Sequence, residues 1–302
     1  MSADSEDYKV RRRLKRRLTL WRLLAILLLI IVGVWIFSEM TEDDVTDHVA
    51  RLDITEIIVE NDRRQEALDR VIQDASAKAL IVYINSPGGS TYGSERLYKA
   101  LRRVAETKPV VTVIGTVGAS GGYMTALAGD RIFAGESSIV GSIGVIVQLT
   151  EISELMKKVG ISATAITSGA LKGEPSPFKP ISQAGRENLQ EMVTATYNWF
   201  VGIVTDRRPL DENEVRRLAD GRVVIGLVAV NNGLIDEIGG ITEAQGWLES
   251  VRQIPSSLPL RTIDYSEPKP LIARLLGEMM GKSVLSERLT LDGLLSLWQP
   301  DG

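Results

Sequence analysis

The sequence contains no cysteine and a single histidine. Without cysteine, disulfide frameworks, thiol nucleophiles and thiolate-bound metals are excluded. The lone histidine, His48, stands in an acidic stretch and reads as a solvated loop residue, which leaves a Ser-His-Asp triad without its base. One histidine also makes a poor catalytic zinc set, and neither H-E-x-x-H nor the Walker phosphate loop occurs. Aromatic residues are only 5% of the chain, so its core must be largely aliphatic. Acidic residues outnumber basic ones over most of the chain: residues 1–22 carry a net +5, and the remainder carries −9, for an overall −4. An acidic body argues against a nucleic-acid partner, because phosphate binding needs a basic face. There is no repeat with a period of 20 to 50 residues.

One long apolar run is present. "LTLWRLLAILLLIIVGVWIF" spans residues 18–37, with Arg22 near its start. About 20 helical residues at about 1.5 Å each cross a hydrocarbon core of about 30 Å, and Arg22 can snorkel back to the headgroups. "RRRLKRR" precedes the run and "SEMTEDDVTD" follows it. The positive-inside rule then puts the N-terminus in the cytoplasm and residues 39–302 across the membrane. The bulky "VWIFSEM" end is a poor cleavage site, so the run reads as an uncleaved anchor rather than a signal peptide. The expected divisions are a cytoplasmic basic segment (1–17), a transmembrane anchor (18–38), a folded domain (39–250) and a tail (251–302). The expected location is a cell (inner) membrane, with the folded domain on its periplasmic or extracellular side. Within the tail, "PLIARLLGEMMG" and "LTLDGLLSLW" read as amphipathic helical pieces that dock on a neighbouring subunit or lie on the membrane surface.

In the folded part, strand-like and helix-like patterns alternate. "HVARLDITEIIV", "KALIVYINS", "KPVVTVIGTV", "DRIFAG", "GSIGVIVQ" and "ISATAIT" read as strands. "NDRRQEALDRVIQDAS", "STYGSERLYKALRRVAET", "EISELMKKVG" and "ENLQEMVTATYNWFVGIVTDRR" read as helices, the second capped by Ser90 or Thr91. The alternation predicts an α/β fold with parallel strands, whose ligand sites gather at the carboxyl ends of the strands. Two loops hold such positions, "NSPGGS" and "GASGG".

Ser120, in "GASGG", can be a helix cap, a close-packing residue or a nucleophile. Gly88 and Gly89 can make an ordinary tight turn, or can let backbone N–H groups approach a developing negative charge. If Ser120 attacks a carbonyl, its base must be something other than histidine. A lysine serves when burial lowers a pKa that is about 10.4 in water. Lys157 and Lys158 lie on an ordinary helix beside Glu151 and Glu154. Lys172, after a small-residue turn in "TSGALKGEPSPFKP", is the better candidate, and Lys179 beside Phe178 a weaker one.

"YINSPGGS", "GASGGYM", "VGSIGVI", "SGALKGEPSPF" and "DGRV" resemble, in that order, motifs of the S49 serine peptidases of the signal peptide peptidase A type. The resemblance runs from about His48 to about Ala244. It implies Ser120 as nucleophile, Lys172 as general base, and Ser142 as the residue that orients the lysine amine. Gly121 and either Gly88 or Gly89 would supply the oxyanion hole. It further implies a crotonase-like fold related to the Clp protease core, with no metal or organic cofactor. A homo-oligomeric ring is also implied, in which the serine and lysine of one site can come from neighbouring protomers. The substrates would be signal-peptide remnants or other hydrophobic membrane-derived peptides. Val140, where the family often has threonine, and "IGLVA" at 225–229 depart from its pattern without touching the dyad. A protease of one specific membrane-protein partner, a non-catalytic scaffold and an acyl-CoA hydratase or isomerase remain as alternatives.

Overall fold

The computed structural model describes residues 17–33 and 46–266. Residues 17–33 form helix α1, with every side chain exposed. Among the described residues no helix is long and apolar enough to cross a membrane. Residues 34–37 of the apolar run lie outside the described residues, as do both apolar helical pieces of the tail.

A separate unit begins at Asp47. Its first strand, β1 (His48–Ile54), is followed by α2 (Asp62–Gln73), β2 (Ala77–Ser86), α3 (Thr91–Ala105), β3 (Val110–Ala119) and α4 (Gly121–Ala126). Then come β4 (Arg131–Ala134), β5 (Ile139–Gly141), α5 (Ser153–Lys158), α6 (Gln183–Arg207) and α7 (Glu212–Leu218). The chain continues with β6 (Val223–Ile225), α8 (Gly226–Asn231), β7 (Glu237–Ile238), α9 (Ile241–Arg252) and β8 (Leu260–Thr262). The strands form one sheet in the order β6-β5-β3-β2-β1-β8, with β4 pairing β3 and β7. All pairs are parallel except β5–β6.

The strand sequences explain the layering. Along β2, Leu80, Val82 and Ile84 face a core shared with Leu68 of α2, Leu97 and Leu101 of α3 and Phe200 of α6. The intervening Ala79 and Ile81 face a second core, with Val111 and Val113 of β3 and Ala244 and Leu248 of α9. Side chains alternate across a strand, so apolar residues at both parities require cover on both faces. Each large aliphatic side chain buried this way contributes about 1.5–3 kcal/mol. α2 and α3 begin at the caps their sequences provide, with Asn61 accepting from Arg64 N–H and Ser90 from Gly93 N–H.

Four expectations are corrected. His48 is buried rather than solvated, because β1 starts there and pairs with β2. Its Nδ1 lies 3.3 Å from Ser76 Oγ and its Nε2 lies 3.6 Å from an Asp74 carboxylate oxygen. That cluster sits at the amino end of β1, opposite the edge where strand carboxyl ends gather. "ISATAIT" forms no strand but an exposed stretch without regular structure. Of "GSIGVIVQ", only Gly141 lies in a strand, since β5 ends there and the residues after it find no strand partner among the described residues. Finally, residues 260–265 belong with the folded body: β8 pairs with β1, and the Tyr265 hydroxyl donates to the Asp53 carbonyl at 2.8 Å.

Candidate active site

Sheet register assembles the site. Ser86 at the end of β2 pairs with Gly118 of β3, and Ala119 pairs with Gly141 of β5. The three loops that leave these strands therefore start at one level of one sheet edge. Ser120 is the first residue past β3, with φ 52° and ψ −118°. That conformation is strained for a residue with a side chain. The turn is fixed by the Ser120 N–H, which donates to the Gly141 carbonyl at 2.8 Å. Ser120 occupies the N-cap position of α4, but its side chain makes no capping hydrogen bond. Its place at the head of α4 thus does not come from side-chain capping.

The glycines meet Ser120 through backbone. Gly88 has φ 112°, and a Cβ there would stand 2.9 Å from Gly121 N and 3.0 Å from Ser120 Cβ. A Cβ on Gly89 would stand 1.9 Å from the Ile58 carbonyl oxygen. The two candidates for the oxyanion hole differ in what their N–H groups do. Gly88 N–H donates to Ser86 Oγ at 3.2 Å, and that hydroxyl donates in turn to the Glu56 carbonyl at 2.6 Å. The bridge between Ile58 and this loop uses the Gly88 carbonyl and the Ser90 N–H, leaving the Gly89 N–H outside it. Gly89 N lies 3.3 Å from the point where a Cβ on Gly121 would stand. Gly121 opens α4, where N–H groups lack a partner within the helix. Gly89 rather than Gly88 is therefore the available partner of Gly121.

These residues open into a pocket of about 180 Å³. Gly89, Thr91, Ser94, Ser120 and Gly121 form its polar end. Val145, Ile146 and Val147 after β5, with Met192, Val193 and Phe200 of α6, form an apolar wall. No lining residue titrates near neutral pH, so a general base must reach Ser120 from elsewhere. The geometry can receive a carbonyl group whose neighbouring substituent is apolar, and can stabilise negative charge on its oxygen.

Ser142 does not line this pocket. It borders an adjacent one with Gln190, Tyr197 and Asp220. It too has a positive φ, 50°, and its N–H donates to the Arg222 carbonyl at 2.8 Å. The "DGRV" turn that presents that carbonyl is closed by Arg222, whose guanidinium and backbone N–H both bind the Asp220 carboxylate. This contact holds the Asp220 pKa down to about 2. Lys172 stands exposed on a turn, its N–H donating to the Gly169 carbonyl at 3.1 Å, and it lines neither pocket. Lys179 pairs with Glu174 at 2.8 Å. Within one chain, then, the structure brings together Ser120, Gly88, Gly89 and Gly121, ties Ser142 to them through Gly141, and does not bring Lys172 to the pocket. The sequence reading overlooked Ser86 and Ser94. Ser86 was legible as the serine before Pro87 at a strand end, whereas nothing local marks Ser94.

The family model for Peptidase family S49 matches residues 102–254, and that for Clp protease matches residues 43–158. A "Putative protease" of Methanocaldococcus jannaschii is 40% identical over 72% of this chain and 70% of its own length. A "Putative signal peptide peptidase SppA" of Enterococcus faecium is 32% identical over 78% of this chain and 68% of its own. "Serine protease SPPA, chloroplastic" of Arabidopsis thaliana is 31% identical over 76% of this chain and 34% of its own. With a Clp-protease-like parallel sheet and this extent of match, the chain belongs to Peptidase family S49 and is a peptidase.

Proposed function

We propose that the protein is a membrane-anchored serine endopeptidase with a Ser120–Lys172 dyad, acting on hydrophobic membrane-derived peptides such as signal-peptide remnants. The observation that carries this reading is the convergence of Ser120 with the Gly89 and Gly121 backbone at the polar end of an apolar pocket. Ser120 Oγ attacks the peptide carbonyl carbon while its proton passes to the neutral Lys172 amine. The carbonyl oxygen takes the negative charge and is held by the Gly89 and Gly121 N–H groups. The C–N bond then breaks, the leaving amine takes the proton from Lys172, and an acyl-enzyme remains. Water then adds to the acyl carbon and gives its proton to Lys172; the bond to Ser120 Oγ breaks, Lys172 returns the proton to that oxygen, and the second product leaves as the free acid. Ser142 orients the lysine amine. No step calls for a cofactor.

Lys172 reaches Ser120 from a neighbouring copy in a homo-oligomeric ring. Two facts support this. The pocket lacks a base of its own, and the segment that carries Lys172 exposes Ile161, Ile166, Leu171 and Phe178. Large apolar side chains clustered on one exposed segment are what a subunit contact covers. The apolar run at 18–37, with basic residues before and acidic residues after, supports the anchor and the periplasmic or extracellular placement of the peptidase unit. The relative named as a signal peptide peptidase supports the substrate class. The test is labelling with a peptidyl fluorophosphonate followed by peptide mapping. The adduct is expected on Ser120 and absent in Ser120→Ala. An adduct elsewhere, or full peptidase activity in Ser120→Ala, overturns the reading.

A further inference from the structure

Ser94 is a serine of α3 with 1% of its surface exposed. Its N–H is used within the helix start, donating to the Ser90 carbonyl at 3.0 Å. Its hydroxyl is different: Ser94 Oγ is buried and makes no hydrogen bond. Ser94 lines the pocket together with Ser120, Gly89 and Gly121. Its Oγ lies 2.1 Å from the point where a Cβ on Gly121 would stand, and Gly89 N lies 3.3 Å from that same point. The unpartnered hydroxyl therefore stands on the flank of Gly121 that also faces the available Gly89 N–H.

A buried hydroxyl left without a partner is destabilising, and such groups in native proteins have a reason to be there. A purely structural serine at this position would be replaceable by alanine at no loss of hydrogen bonding. We infer that the Ser94 hydroxyl is a third donor to the oxygen that becomes negative as Ser120 adds to the substrate carbonyl. This rests on the reading of Ser120 as nucleophile and adds a side-chain donor to the two backbone ones. The hydroxyl donates only a hydrogen bond; no proton is transferred through it. Its partner exists when substrate is bound, and the bond is strongest when the oxygen carries full charge, which raises the rate rather than the affinity for substrate.

The experiment compares wild type with Ser94→Ala on a peptide substrate with an apolar residue before the scissile bond. It also measures inhibition by the matching peptide aldehyde, whose adduct on Ser120 carries the same oxygen. Removing a donor to an oxyanion lowers kcat by about a hundredfold to a thousandfold. We expect such a fall in kcat, a similar weakening of the aldehyde, and KM within about twofold, since uniform binding is untouched. The thermal midpoint shows that the variant is folded; if it is not, Ser94→Cys, of similar shape but a weak donor, takes its place with the same expectation. Unchanged kcat and aldehyde affinity overturn the inference, as does a fall in kcat with the aldehyde unaffected. Wild type labelled at Ser120 while Ser94→Ala keeps full activity sinks the third donor alone. Wild type unlabelled at Ser120 sinks the peptidase mechanism itself.

Discussion

The backbone N–H of Ser120 donates to the carbonyl of Gly141 at 2.8 Å. Gly141 is the residue before Ser142, so the nucleophile proposed here and the serine proposed to orient the lysine hang from one hydrogen bond across β3 and β5. Both serines hold positive φ, and both N–H groups are committed, one to Gly141 and the other to Arg222. The proposed lysine is the part that a single chain does not deliver to the pocket.

That division makes a direct test of the ring. Ser120→Ala and Lys172→Ala are each expected to be inactive. Unfolded together and reassembled, they are expected to regain a measurable fraction of activity, because some neighbouring pairs then combine an intact serine with an intact lysine. A mixture as inactive as its components places both groups of the dyad in one chain.

Gly88→Ala is expected to cost the fold about 1–3 kcal/mol, because alanine is strained at a positive φ. The added methyl would also press on Gly121 N from 2.9 Å. Peptidase activity is expected to fall well below what the stability loss explains, since the pressed atom is a proposed oxyanion donor. Denaturant unfolding and kcat on the same samples separate the two effects.

Gly121→Ala is expected to destabilise by about 1–3 kcal/mol, the usual range for overpacking. The clash is with Ser94 Oγ, 2.1 Å from the new Cβ. Ser94→Gly in the same chain removes that atom and is expected to restore a good part of the loss. A double-mutant cycle measures this: coupling above about 0.5 kcal/mol is expected, and additivity would mean that the neighbours yield elsewhere.

Tyr123 is fully buried in α4, and its hydroxyl donates to the Leu234 carbonyl at 2.7 Å. Burial pushes its phenol pKa up, so the neutral form is favoured in the fold. The contribution is therefore fully present below the ordinary tyrosine value and is lost progressively as pH rises from there through the raised one. Tyr123→Phe leaves Leu234 O unsatisfied and is expected to lower stability by about 1–3 kcal/mol at neutral pH. Urea unfolding with an unchanged slope is the measurement.

Glu174, two residues after Lys172, is held below the usual carboxylate range, first by the Lys179 ammonium and then by Ser182 at the start of α6. A lowered pKa means the stabilisation is present above the ordinary glutamate range and is lost as pH falls through the lowered value. Glu174→Gln imitates the protonated state at neutral pH. Amide exchange over residues 170–181 is expected to quicken in the variant at pH 7. In wild type the same change is expected only below the ordinary carboxylate range. Equal exchange in both proteins at pH 7 would show that the pair does not hold this loop.

What was legible in the sequence follows from distance along the chain. β2, β3, α3 and their glycine loops are local patterns, and each formed where alternation and caps pointed. The grouping of Ser120 with Gly88, Gly89 and Gly121 followed because the strands are consecutive and parallel. His48 was misread because its burial comes from pairing with β2, whose start lies 29 residues later. "ISATAIT" has strand-forming residues, yet a strand needs a partner edge, and none is supplied among the described residues. Ser94 was invisible because an unpartnered hydroxyl is a property of three loops packed together. Lys172 was singled out by its small-residue setting and the family resemblance, and its chain neighbours could not say whose serine it serves.

The pairing of Ser86 with Gly118 and of Ala119 with Gly141 has a consequence for how this enzyme can change over generations. Side chains alternate along a strand, so inserting or deleting one residue within β3 turns Ser120 toward the opposite face and parts it from both glycine loops at once. Strand lengths here are frozen. The segment from Val145 to Ile181 carries no such constraint: it holds one side of the apolar pocket's wall and the proposed base, yet it contains no strand whose ladder fixes its length. Descendants of this gene can lengthen, trim or rewrite that stretch on either side of Lys172 to suit a new peptide while Ser120 and the glycine loops stay in register.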